Sequence, residues 1–511
     1  MTNNPLAQLY DLIPDAQDII YQIGQNTPLE QLYLHGFEAL NLYIKREDLG
    51  PIHAYKWRGA YNAVYHHHQK TGCKTIVAAS AGNHAQGVAL AAKHLKINAK
   101  IFMPLAAPIM KQEAVKRHGG EYVELILTGD DYNQAGEAAK AFVQETGHIY
   151  IHPFDDLYTM AGQAMIADEI IEQSPQPLDY AFLQIGGGGM AGAVAAWLKK
   201  HNPNIKIIGV EGTDQASMQA SVMAGHPITL EQTDAFCDGT AVTRPGDITY
   251  EICNQVIDEF ITVSNEEVCA AIQTLWKSKR LIPEPSGAMG IAGLIQYNQS
   301  HDLTDKNVLS IICGANMDFN KLPLVVQQSS TSANITQQRR RYYRIALPEK
   351  KGALLHILDA HFQDVNVCGF RYGKTHETQA WQTIAIECTE SQFDLFEGNL
   401  TLAGIEHYNI THDTDVTYGL IHYDAHLFKH PVFMTVAFPE RKGALRELLR
   451  VISPHASICY FNYNYSGETI GRALMGFEFK NENDIPAFYK AIENSVVTVK
   501  PLDHNVLKRI L

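Results

Sequence analysis

Over roughly the first 325 residues, short continuous apolar runs alternate with longer stretches in which apolar positions recur at the helical period. The short runs at 75–78, 100–103, 122–126, 181–183, 206–210 and 308–312 predict strands. The longer patterns at 84–95, 131–145 and 266–279 predict helices. Several strands are apolar on both faces, which favours an α/β domain whose parallel sheet is covered by helices on each side. This region, 1–325, is expected to form one domain of that class.

The pattern then breaks. Residues 327–338 are polar with little apolar periodicity and read as a linker. Three arginines, Arg339, Arg340 and Arg341, close it and are expected to form its solvated end, so the linker is set at 326–341. Beyond it the chain repeats itself. The stretch 344–354 returns as 435–445, with Pro348 answering to Pro439 at an offset of 91 residues. At the same offset Phe370 answers to Phe461 and Tyr372 to Tyr463. Each copy reads strand, turn with Pro and Gly, helix, strand, so two small α+β modules are expected at 342–425 and 432–511. Twin modules behind a larger domain suggest ligand sensing; a scaffold for oligomerisation is the alternative.

Composition narrows the classes. Hydrophobic residues make up 46% and charged residues 19%, which suits a globular chain with a large core. The net charge of −14 argues against a nucleic-acid groove or an anionic membrane surface as partner. The eight cysteines include no Cys-x-x-Cys pair and read as free thiols in a reducing compartment. With no apolar stretch of about 18 residues and no secretory n- or h-region, a cytoplasmic location is expected.

Four consecutive glycines, Gly186, Gly187, Gly188 and Gly189, stand between the strand at 181–183 and a helical run that opens at Met190. Converging backbone N–H groups and a helix N-terminus there would form a phosphate site; a tight turn is the plainer alternative. The loop lacks the Lys-Ser/Thr of a P-loop and the spaced glycines of a dinucleotide fingerprint, so a phosphorylated cofactor other than a nucleotide is indicated. Lys56 sits between Tyr55 and Trp57. Aromatic neighbours desolvate an amine, which suits a Schiff-base lysine, although most lysines are solvated charges. Ser80, Ala81, Gly82, Asn83 and His84 follow a strand and open a helix. They could hold a carboxylate at the helix start, or simply cap it. Three adjacent histidines at 66–68 do not share a helix face and read as solvated.

These segments, with 45–62, 284–288 and 314–319, stand in one order and spacing that resembles the threonine/serine dehydratases among the pyridoxal-phosphate enzymes of the tryptophan-synthase β-subunit fold. The resemblance spans essentially the whole chain. It implies a fold type II catalytic domain of two open parallel-sheet subdomains. The tandem repeat resembles the ACT-like regulatory domains of the biosynthetic threonine ammonia-lyases. Deamination of L-threonine to 2-oxobutanoate, with L-serine as a secondary substrate, is therefore expected, inhibited by isoleucine and opposed by valine, in a homotetramer.

Carried over by residue, the resemblance gives Lys56 the cofactor aldehyde and then the Cα proton. Gly186 to Gly189 and the Met190 N–H would take the phosphate. Asn83 would bond the ring hydroxyl, Cys313 would face the pyridine nitrogen, and the loop from Ser80 to His84 would grip the substrate carboxylate. A thiol does not enforce a protonated ring, so elimination of the β-hydroxyl is favoured over a long-lived carbanion. Tyr372 and Tyr463 would line effector sites. Racemases of this fold carry Ser where this chain has Ala81, which favours dehydratase over a serine racemase. Glu211 is not followed by a convincing second carboxylate at 212–217, so no obligatory metal is expected. A serine dehydratase or racemase with a sensing tail, and an inactive amino-acid-binding regulator, are the alternatives.

Overall fold

The computed structural model describes all residues except 1–3, 106, 130–131, 330–338, 364, 414–415, 417–418, 440–443, 465–469, 480, 494–496, 503–506 and 508–511. The chain divides into two compact units, Met1–Ile335 and Thr336–Leu511.

In the first unit the strands are β1 (Leu29–Gln31), β2 (Asn41–Arg46), β3 (Thr75–Ala79), β4 (Asn98–Met103), β5 (Val123–Leu127), β6 (Ile149–Tyr150), β7 (Tyr180–Gln184), β8 (Lys206–Gly212), β9 (Glu259–Val263) and β10 (Asn307–Ile312). They build two sheets. The larger runs β1-β2-β10-β7-β8-β9 and is parallel except for the β1–β2 pair; the smaller runs β5-β4-β3-β6 and is parallel throughout. The smaller sheet is thus inserted between β2 and β7. The expected α/β class with two parallel-sheet subdomains is what forms. Central strands are buried on both faces, as in β7 and β10, which is why they read as continuous apolar runs.

The second unit holds β11 (Arg339–Pro348), β12 (Asn366–Gly373), β13 (Gln379–Cys388), β14 (His407–Asn409), β15 (Pro431–Pro439), β16 (Ser457–Asn464), β17 (Ile470–Glu478) and β18 (Thr498–Pro501). They form one sheet ordered β14-β11-β13-β12-β16-β17-β15-β18. Helices Ala353–His361 and Ala444–Ile452 follow the first strand of each copy. The copies join where β12 pairs antiparallel with β16, setting Phe370 opposite Tyr463 and Tyr372 opposite Phe461. Each second strand carries a register shift, one between Val367 and Gly369 and one between Ile458 and Tyr460. The skipped residues, Cys368 and Cys459, also lie 91 apart. The bulge belongs to the repeat, and a bulge bends and twists its strand locally.

Two sequence expectations need correction. The linker is shorter at both ends: a helix runs to Ser329, and β11 begins at Arg339. The arginines are strand residues, and Arg339 and Arg341 both pair with Glu390. Tertiary ion pairing overrides the local reading of a charge run. The three histidines are likewise not simply solvated. The His66 ring stacks on Tyr158 with centroids 4.4 Å apart, and His68 Nδ1 lies 2.7 Å from the Cys73 carbonyl oxygen.

Candidate active site

Lys56 is the residue before the helix Trp57–Thr71, with its Nζ 5.3 Å from the Tyr55 ring centre. A buried ionic cluster fixes that turn from behind. Arg58 donates to Glu47 through Nε and Nη2 at 2.9 and 3.0 Å, and to Glu169 through Nη1 at 2.6 Å. Lys45 Nζ meets Glu169 at 2.7 Å and the Thr27 carbonyl at 2.6 Å. All four charged side chains are buried. Two cations balance two carboxylates, and bidentate geometry satisfies the guanidinium, the condition under which buried charge is tolerated. The charged start of this segment is therefore an internal anchor.

Four segments of the chain meet at one cavity, lined by Lys56, Asn83, Gly186 to Gly189, Met190 and Cys313. The glycine loop is shaped by what touches it. A Cβ on Gly187 would lie 2.4 Å from the Phe154 ring, and Gly188 has φ +88° as it leads into the helix Gly189–His201. No side chain fits the first position, and the second is left-handed backbone that favours glycine. The Thr249 hydroxyl donates to the Gly187 carbonyl at 2.6 Å. Asp155 in turn accepts the amides of Ile248 and Thr249 at 2.9 and 3.1 Å, at the start of the helix Asp247–Val256. The loop is thereby clamped with its own amides and a helix N-terminus turned to one place.

Asn83 is held at both ends of its amide. Its Nδ2 donates to Glu284 Oε1 and Oε2 at 2.9 and 3.2 Å, and its Oδ1 accepts from Asn316 at 2.8 Å. Burial pushes the Glu284 carboxyl above its ordinary range, with Asp238 adding to the shift. Cys313 Sγ lies 3.9 Å from Glu284 Oε1, and burial holds its thiol neutral by raising its pKa. Beside it, Gln184 donates to the Ile311 carbonyl at 2.9 Å, while its own Oε1 has no partner among the described residues.

The other expected site residues lie apart from the cavity wall. Ser80 Oγ accepts the Gly82 amide at 3.1 Å, a local turn bond. Ala81 is buried. The His84 ring points to the Ile151 carbonyl at 2.9 Å, and burial lowers its pKa to about 3, so it is neutral. Accepting the Gly82 amide leaves the Ser80 hydroxyl its own proton to donate. Sequence reasoning assigned no role to Phe154, Gln184 or Glu284, which line the same cavity. Glu284 had a signal, lying between two prolines in a marked loop.

Residues 20–314 match the family described as pyridoxal-phosphate dependent enzyme, and residues 428–510 match the C-terminal regulatory domain of threonine dehydratase. The chain is 34% identical over 484 residues to the L-threonine dehydratase biosynthetic IlvA of Pasteurella multocida, covering 93% of this chain and 92% of that one. The chain belongs to the pyridoxal-phosphate-dependent threonine dehydratases. Among solved structures, the processed form of threonine deaminase isoform 2 from Solanum lycopersicum matches with a TM-score of 0.60 at 38% identity, over 63% of this chain and 94% of that chain. Maize serine racemase matches with a TM-score of 0.57 at 31% identity, over 62% and 96%.

The cofactor of this dehydratase is pyridoxal phosphate, and the cavity fits it. An amine stands on its wall for an aldehyde, and glycines that admit no Cβ offer amides for a phosphate. A neutral thiol, which can donate its proton, suits a heteroaromatic nitrogen. No helix of the described residues is long and apolar enough to cross a membrane.

Proposed function

We propose that this dehydratase converts L-threonine to 2-oxobutanoate and ammonia as the first step of isoleucine formation. L-Serine is its secondary substrate. L-Isoleucine inhibits it through the C-terminal modules, at sites that include Tyr372 and Tyr463, and L-valine opposes that inhibition. It works as a cytoplasmic homotetramer, without nucleic-acid or membrane partners. One observation carries the catalytic half: a lysine amine, a glycine cradle and a neutral thiol line a single cavity. The relatives' names support the substrate, and the regulatory-domain match supports the effector half.

Bound pyridoxal phosphate supplies a conjugated system that takes up charge as the Cα–H bond breaks. The chain's own residues do the rest. Gly186 to Gly189 and Met190 hold the phosphate through backbone amides. Lys56 Nζ, anchored from behind by Arg58, removes the Cα proton. Asn83 is fixed by Glu284 and Asn316, so its amide presents a set donor. Burial raises the pKa of the Glu284 carboxyl, and the Cys313 thiol, held neutral by burial, places no charge beside the ring site. The Asn83 and His84 amides, at the start of the helix Asn83–Leu95, orient the substrate carboxylate. The β-hydroxyl departs with the proton or soon after.

Likeness to maize serine racemase favours a second reading, a serine dehydratase or racemase. Ala81 offers no hydroxyl as an acid on the opposite face, which argues against racemisation. The deciding assay is 2-oxobutanoate release from L-threonine with and without L-isoleucine, alongside D-serine formation from L-serine. Threonine turnover that isoleucine suppresses, and that Lys56→Ala abolishes, supports the proposal. D-Serine as the main product would replace it with the second reading.

A further inference from the structure

The regulatory unit carries a second pocket, partly open to solvent and bounded by both copies of the repeat. The turn after β11, with Glu349 and Gly352, forms one side, and Leu449 and Ile458 of the second copy face it. Phe370 and Leu354 complete an apolar wall. Two acceptors interrupt it. Gln382 is 6% exposed, and its Oε1 has no hydrogen-bond partner among the described residues. Glu349 accepts the Tyr372 hydroxyl through Oε2 at 2.5 Å. A buried amide oxygen left without a donor costs free energy, so a site built around one calls for a donor from outside. A ligand ammonium has three. Opposite charge has a place as well: Gly352, at φ +81°, leads into the nine-residue helix Ala353–His361, where the Ala353 amide is spent on the Lys350 carbonyl at 3.1 Å and those of Leu354 and Leu355 have no partner within the helix.

The second copy differs at one of these positions. At the offset of 91, Glu349 answers to Glu440, Phe370 to Phe461 and Tyr372 to Tyr463, but Gln382 answers to Ala473. The amide acceptor exists in the first copy alone.

We infer that the first copy holds the one tight effector site of each chain, and that Gln382 and Glu349 recognise there the ammonium of an aliphatic α-amino acid. This rests on the reading of the repeat as an amino-acid sensor. The apolar wall takes the branched side chain, and the Leu354 and Leu355 amides take the carboxylate. The site therefore rejects the corresponding 2-oxo acid, which has the same carbon skeleton and carboxylate but no N–H donor. The second copy, with Ala473, contributes wall rather than charge recognition.

The test is calorimetric titration of the full-length holoenzyme with L-isoleucine and with 3-methyl-2-oxopentanoate, repeated on Glu349→Gln and Gln382→Ala. Melting temperatures check that each variant is folded. One tight isoleucine site per chain, at least tenfold weaker in either variant, and no competition from the oxo acid, are expected. Two equivalent sites per chain, variants that bind like wild type, or an oxo acid that competes as well as isoleucine would overturn the inference and leave the sensor reading standing. The oxo-acid comparison needs no variant, so it decides even if both substitutions unfold the unit. A wild-type chain that binds no isoleucine would remove the sensor reading and this inference together.

Discussion

Arg371 on β12 lies directly opposite Asn462 on β16, and the two are the same position of the repeat. Around that pair the register is reciprocal: Phe370 faces Tyr463, and their counterparts Phe461 and Tyr372 face each other. The two copies thus meet in an isologous way, as subunits of a twofold dimer do. A reciprocal joint relays a change on one side to the other. That suits a unit whose output is a shift between two states.

Tyr372 and Tyr463 occupy equivalent places in the repeat. The Tyr372 hydroxyl is spent on Glu349, and the Tyr463 ring packs 5.5 Å from that of Phe438. Tyr372→Phe removes a hydrogen bond to a charged group, a loss of about 1.5–3 kcal/mol. The isoleucine concentration for half-inhibition should rise by roughly tenfold or more, that energy expressed as a ratio. Inhibition curves on the variant and on the unaltered protein check the shift.

Arg58 carries more than its own stability. Arg58→Met leaves Glu47 and Glu169 buried with only Lys45 to balance them. Breaking a buried charge cluster on one side costs about 3–5 kcal/mol. Urea denaturation should show a loss of that size. Because Lys56 is two residues away, the folded fraction should also hold its cofactor less tightly, measured as pyridoxal phosphate retained on dialysis.

At Gly187 the expected fault is local. A Cβ there meets the Phe154 ring at 2.4 Å, and overpacking of this kind costs about 1–3 kcal/mol. Gly187→Ala should weaken cofactor binding by about tenfold or more, with little change in melting temperature of the cofactor-free chain. The double variant with Phe154→Ala should recover part of the affinity. No recovery would mean that the loop amides, and not the ring, set the fit.

Glu211 gives a pH signature. Its carboxyl is buried, and desolvation raises its pKa from 4.5 to about 7 against the pull of the Met218 and Gln219 amides. The folded state then holds the proton more tightly than the unfolded chain. Stability from this group is complete below about pH 4.5 and is lost as pH rises through about 7, a total of about 3 kcal/mol. Glu211→Gln should flatten that slope in urea melts taken across the range. The difference between the two proteins isolates this group from His84 and His152, whose lowered pKa values act with the opposite sign. Chelation should leave threonine turnover unchanged; a fall restored by a divalent cation would show that Glu211 holds a metal.

Much of this was legible along the chain. Six of the ten strands of the first unit's two sheets, and the glycine loop, depend on local apolar runs and backbone freedom, which a sequence displays directly; β1, β2, β6 and β9 are short or mixed in polarity and escaped. The repeat was equally plain, since one offset carries Pro348 to Pro439 and Cys368 to Cys459. What escaped depends on distant partners. Asn83 and Glu284 are 201 residues apart, so nothing near either announces the bond. Lys45 and Glu47 look like surface charge until Arg58 and Glu169 fold against them. Arg339 and Arg341 look like a linker until Glu390 supplies their counter-charge.

The β12–β16 seam also bears on the tandem arrangement. A lone first module would expose β12 as an open edge, which pairs readily with another copy of itself. Two such copies in the same register would place Arg371 against Arg371 at the axis, a repulsive cross-strand pair. The tandem chain sets asparagine there instead. A tandem chain can differ between its halves at the centre of the seam, so it escapes a clash that identical partners must share.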